Sequence, residues 1–209
     1  GKNEPDEFIE FKDVEQKPQQ KDFLTTFESG KLPINFQSLR VPMGVFASLS
    51  DRPGYLRLYG KESIGSKFTQ SIVARRQQAF KYSAETALEF NPTTLQQMAG
   101  LIIKYNEDNQ FYLRVTFDED LNKKTIGILK MDDGDLEMPL GNNEIIVSED
   151  TKIIYLRANV NEDKLVFAYS FDGNLFENID HTFDASILSD EFAKPMGFTG
   201  AFAGMACQD

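Results

Sequence analysis

Apolar side chains in this chain recur at every second position wherever they recur regularly. Phe111, Leu113, Val115 and Phe117 alternate with Tyr112, Arg114, Thr116 and Asp118. Successive side chains of a strand point to opposite faces, so this pattern specifies a half-buried antiparallel strand and not an amphipathic helix. Ile154, Leu156, Ala158 and Val160 repeat it across Tyr155, Arg157 and Asn159, as do Leu56 and Leu58 across Arg57. Leu165, Phe167, Tyr169 and Phe171 alternate with Val166, Ala168 and Ser170 and run into Asp172-Gly173, a strong turn signal. Asn161-Glu-Asp163 and Asn106-Glu-Asp-Asn109 separate adjacent runs as hairpin turns. Further strands are expected at 37–41, 70–76, 81–90, 98–105, 124–131, 144–147 and 197–205. A chain of roughly a dozen short strands spaced by turns is an all-β, two-sheet antiparallel β-sandwich, with sequential pairing the economical topology. Helix is limited to single turns within 91–97 and 184–191, where Asp184 is placed to cap. No internal repeat supports a propeller.

A chain of 209 residues can bury one large core, and a single domain over 23–209 is expected. Residues 1–22 are dominated by Asp, Glu, Lys, Gln and Pro and read as a linker or N-terminal extension. Phe8, Ile9 and Phe11 are the exception, suited to docking as a short extended segment. The balance of 33 acidic against 22 basic residues, a net charge of -11, argues against a nucleic-acid partner and favours neutral sugars or another protein. No stretch approaches the ~18 consecutive apolar residues of a membrane helix, so no membrane partner is expected. The chain begins at Gly1, so its compartment is open on the residues alone. The lone Cys207 has no internal disulfide partner and reads as a small buried hydrophobe. The 18 phenylalanines are assigned mainly to the core.

Phe202 lies between Gly200 and Gly204 among residues with almost no side chain. A ring in that frame either packs into a core or lines a neighbour's pocket. Arg75 and Arg76 are adjacent, so in a strand they point to opposite faces, and one must face inward or into an interface. Gln70 and Gln77 flank them and are expected to join the same polar network. His181 is the single histidine and reads as a surface or loop residue, which gives little support to a histidine-rich metal site or to a Ser-His-Asp triad with a nearby nucleophile. Asp132-Asp-Gly-Asp135 resembles part of a calcium loop, but Leu136 and Met138 break the ligand spacing and a plain turn is preferred. Asp184, Ser186, Asp190 and Glu191 form a second candidate cation cluster. Asp118, Glu119 and Asp120 read as a solvated hairpin end. No metal and no cofactor is expected, with calcium the one ion left open. Tyr112 and Tyr155 on polar strand faces are the candidate platforms for a sugar, although filling amphipathic sheet surface is the preferred reading.

Several segments carry a family resemblance in a fixed order. They are Leu39-Arg-Val-Pro42, Arg52-Pro-Gly-Tyr-Leu-Arg-Leu58, Gly60-Lys-Glu-Ser63, Gln70-Ser-Ile-Val-Ala-Arg-Arg-Gln77, Ala99-Gly-Leu101, Tyr169-Ser-Phe-Asp-Gly173, Asp184-Ala-Ser186, Leu188-Ser-Asp-Glu191 and the closing run from Phe198 to Asp209. Over most of residues 22–209 the chain resembles the concanavalin A-like sandwich, a jelly roll, that follows the five-bladed propeller of family 43 β-xylosidases. The resemblance implies a non-catalytic accessory domain that stabilises an N-terminal catalytic propeller and lends a phenylalanine-bearing loop to a pocket for xylo- or arabino-oligosaccharides. Phe202 is the position carried over, with Phe198 second, and Arg75 and Arg76 are candidate interdomain contacts. The paired carboxylates of hydrolysis would lie in the propeller, so no catalytic residue is assigned here and the chain alone is expected to be inactive. The resemblance favours a periplasmic or secreted location. Phe36 stands where the family usually has tryptophan. The family pattern also continues past the position of Asp209 to an aromatic-rich strand, so the final strand is expected to be missing. A free-standing carbohydrate-binding module is the main alternative, and a complete small hydrolase or lyase on the sandwich is the other.

Overall fold

The computed structural model describes residues 22–194 and 197–209; Phe8, Ile9, Phe11 and the rest of the expected linker before Asp22 lie outside the described residues. Along the described chain run β1 (Phe36–Ser38), β2 (Ala47–Ser48), β3 (Arg57–Leu58), β4 (Ser71–Arg76), β5 (Lys81–Leu88), β6 (Met98–Lys104) and β7 (Gln110–Asp118). They are followed by β8 (Lys123–Asp132), β9 (Asp135–Glu137), β10 (Ile145–Val147), β11 (Ile154–Asn161), β12 (Lys164–Ser170), β13 (Glu177–Asp184) and β14 (Phe202–Gln208). A large sheet has the order β1-β4-β14-β6-β7-β8-β10, with β9 added to β8, and a four-stranded sheet has the order β13-β12-β11-β5. Every pair in them is antiparallel.

The period-two pattern supplies the interior. Leu101, Ile103, Phe111, Leu113, Val115, Ile126 and Ile128 of the large sheet pack on Ile154, Leu156, Ala158, Val160, Leu165 and Phe167 of the small one. Phe111, Phe167 and Phe183 form a ring cluster across the layers, with centroids 5.2 to 6.4 Å apart. Sequential pairing holds for β6-β7-β8 and β11-β12-β13, but β14 enters between β4 and β6.

The structure corrects several expectations. β7 is buried on both faces, not one: Tyr112 is fully buried and Arg114 is 2% exposed. Tyr112 donates its hydroxyl to Ala206 O (3.0 Å), and Arg114 makes a two-pronged pair with Glu144 (2.7 and 3.2 Å). A second apolar cluster covers that outer face, with Ile64 packing over Ile72, Ala74, Ile102, Tyr112, Leu129 and Ala206. The phenylalanines do not belong mainly to the core. Phe46, Phe111, Phe167 and Phe183 are buried, whereas Phe23, Phe68, Phe80, Phe171, Phe192 and Phe198 are exposed.

The last strand starts later than the expected 197–205, because Gly200 takes a left-handed φ of 66° and turns the chain before Phe202. β1 ends at Ser38, and Arg40 follows with φ 66°. No helical turn forms at 91–97, where Thr116 Oγ1 donates to the carbonyls of Leu95 and Gln97 (2.9 Å each). The turn after Asp184 does form, as a short 3-10 helix at Ala185–Leu188 whose Ser186 amide donates to Asp184 Oδ1 (2.9 Å).

Candidate functional site: the aromatic loop before β14

Residues 197–201 form a loop fixed at several points. A Cβ on Gly197 would stand 2.2 Å from the Tyr105 hydroxyl, so glycine there lets the loop lie on that ring. Tyr105 is itself held by donating to Asp190 Oδ1 (2.5 Å). Arg76 donates to Thr199 O, and the Gln77 amide donates to Ala201 O (2.9 Å). Between these anchors Phe198 projects with 84% of its surface exposed.

Phe202 lies on the outer face of the large sheet, not between the layers. Its ring packs against the second cluster and remains part-exposed, with the Arg76 guanidinium 4.9 Å from the ring centre. The two glycines framing it do different jobs. Gly200 supplies the left-handed turn, whereas a Cβ on Gly204 would stand 2.3 Å from Val73 O and 2.4 Å from Ala74 Cα. Gly204 therefore permits close strand packing rather than display of the neighbouring ring.

A cleft of about 270 Å³ opens beside Phe202, lined also by Ile72, Ala74, Arg76, Lys104, Tyr105 and Thr199. Lys104 is 6% exposed, and its amine donates to Gln110 Oε1 (3.0 Å) and stands 3.6 Å from Glu107. Burial pulls its pKa down to about 8, against the opposing pull of Glu107. Burial also disfavours the Glu107 charge, but Lys104 and Arg40, which donates from 2.9 Å, outweigh it and hold that carboxyl below its ordinary value. The sequence signalled Asn106-Glu-Asp-Asn109 only as a turn. The ion pairs it organises were missed, since Arg40 and Glu107 are 67 residues apart.

Arg75 and Arg76 do face opposite ways. Arg75 lies over the Phe23 ring at 4.3 Å and donates to Gln78 Oε1 (3.1 Å). Neither arginine meets a carboxylate among the described residues. Gln70 and Gln77 do not join them. Gln70 Nε2 instead ties down the carbonyls of Ser63, Ile64 and Ser66, and Gln77 Nε2 donates to Ala79 O (3.1 Å), because each side chain finds a nearer backbone acceptor.

The other candidates disperse. Asp132 pairs with Lys130 (2.6 Å) and Asp133 with Lys194 (3.0 Å), at a turn between β8 and β9 where Asp133 and Gly134 take positive φ. Asp184 is tied to Ser186 at the cap of its turn while Asp190 accepts from Tyr105, so the four side chains do not gather at one point. No group of three or more metal-ligating side chains forms among the described residues. Asp118 and Glu119 accept the Leu121 and Leu95 amides at a hairpin end, near exposed Asp120. His181 is exposed on β13 and its ring lies 4.3 Å from Phe183. Cys207 is buried, and burial pushes its thiol up to about 11. Tyr112 is no platform, since it is fully buried; Tyr155 stays part-exposed.

Two packed antiparallel sheets make this a β-sandwich, with the aromatic loop displayed at the end of the central strand β14. The family described as "Beta xylosidase C-terminal Concanavalin A-like domain" matches residues 25–209. The β-xylosidase of Bacillus subtilis (strain 168) is 44% identical over 88% of this chain, and a putative β-xylosidase of Escherichia coli (strain K12) is 40% identical over 88%. The crystal structure of xylan β-1,4-xylosidase from Bacillus halodurans C-125 superimposes with a TM-score of 0.86 at 36% identity, covering 95% of this chain and 38% of that one. The chain therefore belongs to the C-terminal concanavalin A-like domain family of the family 43 β-xylosidases. It spans about a third (34%) of the length of each of those two curated relatives.

Proposed function

We propose that this domain is the non-catalytic accessory part of a larger glycoside hydrolase, packing on an N-terminal five-bladed catalytic propeller, stabilising it and closing its sugar pocket. The loop at 197–202 is the element lent to the pocket, with Phe202 and Phe198 as its rings and Arg75 and Arg76 at the interdomain contact. The whole protein would release xylose or arabinose from oligosaccharides. The observation that carries this reading is the exposure of Phe198 on a loop pinned by Tyr105, Arg76 and Gln77. An exposed ring so firmly held is suited to meet a partner surface: it is pre-ordered, and its apolar area is unspent. At a pocket mouth such a ring contacts the pyranose face and excludes water.

The test is a hybrid enzyme in which this chain replaces the matched C-terminal third of the Bacillus subtilis β-xylosidase. The hybrid is expected to hydrolyse an aryl xyloside, and Phe198→Ala or Phe202→Ala is expected to lower kcat/KM by roughly 10- to 100-fold. Variants that fold as the parent hybrid and keep full kcat/KM at both positions would refute the pocket role.

A further inference from the structure

A groove of about 440 Å³ opens where the segment leading into β11 meets the turn after β12, and it shares no lining residue with the cleft beside Phe202. Its apolar part is made of two rings and Ile153. Tyr155 lies against the bare backbone of Gly173, where a Cβ would stand 2.7 Å from the ring. Phe171 is 42% exposed and is braced by Tyr169, whose ring centre is 5.2 Å away and whose hydroxyl donates to Glu177 (2.8 Å). The turn between them is fixed. Asp172 Oδ1 accepts from the amides of Asn174 (2.8 Å) and Leu175 (2.9 Å) and from the Ser170 hydroxyl (2.9 Å), and Gly173 holds φ 75°. Both rings are thus in place before any ligand arrives, which removes most of the ordering cost of binding. Asp150, Lys152 and Asp172 line the same groove, and all three are exposed.

We infer that this groove binds a neutral oligosaccharide, with pyranose faces on Tyr155 and Phe171 and hydroxyls hydrogen-bonded to Asp150, Lys152 and Asp172. Sugar hydroxyls both donate and accept, so they suit a site offering carboxylates and an ammonium together. An anionic polysaccharide would face two carboxylates here and a chain of net charge -11. A purely apolar ligand would leave those charges desolvated without partners.

Xylotetraose or cellotetraose titrated into the chain, followed by amide chemical shifts, is expected to give saturable binding with a Kd of ~1 mM for at least one sugar. Phe171→Ala, at an exposed position, is expected to weaken it at least about 5-fold. Tyr155→Phe, which keeps the ring, is expected to retain it, and Phe80→Ala, at an exposed ring outside the groove, to leave it unchanged. The inference is overturned if neither sugar saturates by ~20 mM, if Phe171→Ala binds as tightly as the parent, or if Phe80→Ala removes binding. The titration needs only this chain, so its failure leaves the hybrid-enzyme result for Phe198 and Phe202 intact, and the reverse is equally true.

Discussion

Lys104 shows how a single residue sets the chemistry beside the loop. Its ammonium is buried among Gln110, Ile64 O and Glu107, an arrangement that costs desolvation which the neighbouring carboxylate only partly offsets. The folded amine loses its proton at about 8, against an ordinary 10.5 in the unfolded chain. Between those values the unfolded chain binds more protons, so this group's contribution to stability rises with pH through that window. Below about 8 the amine is charged in both states and its contribution is a constant penalty. Cys207 opposes the trend, since a thiol pushed up to about 11 loses stability above its ordinary 9. Subtraction removes that term. The stability of the wild type minus that of Lys104→Met is expected to climb from pH 8 to 10.5 by at most a few kcal/mol, at about 1.4 kcal/mol per pKa unit. Urea denaturation across that range measures it, and a flat difference would mean that the amine is not perturbed.

At the scale of elements, strands whose two faces differ in polarity were legible and the others were not. β11 could be read directly, because Ile154, Leu156, Ala158 and Val160 face the core while Tyr155, Arg157 and Asn159 do not. β13 was missed: in Glu177–Asp184 only Ile179 and Phe183 are buried, four positions apart, and a bulge between Val166 and Ala168 of its partner shifts the register. The place of β14 was also illegible, because a run of Ala, Gly and Met carries no partner information. It pairs with β4 on one side and β6 on the other, and Gly100 and Gly204 allow the close approach of neighbouring backbone on that face. The site was partly legible for the same reason. The glycines marked a special segment, but the exposed ring is Phe198, set by Tyr105 just past β6 and by Arg76 of β4. Since β14 donates to both neighbours, Met205→Pro, opposite Val73 and Leu101, is expected to cost ~3 kcal/mol or more and to abolish the cooperative thermal transition seen by circular dichroism. A retained transition within a few degrees of wild type would contradict the central placement.

For the whole molecule, the distribution of large apolar groups says more than their number. Phe68, Phe80 and Phe198 are each at least 75% exposed, and Leu24, Ile34 and Leu175 match them, whereas the core is completed by aliphatic side chains and a few rings. Scattered exposed side chains are ordinary on any surface, so these alone identify no partner. What gives them meaning is the span of the chain, about a third of its curated relatives. On the accessory reading, part of this surface is interior in the whole protein. A net charge of -11 opposes self-association of the isolated chain. A dye that fluoresces on apolar surface separates the cases. Per mole of this chain, its signal is expected to be several-fold higher for the isolated domain than for the hybrid with the Bacillus subtilis catalytic portion. The same hybrid should unfold at a higher temperature than the isolated domain, because docking binds only the folded form. Equal dye signals and equal melting temperatures would mean that the two parts merely share a chain, and the stabilising role would fall while the fold stood.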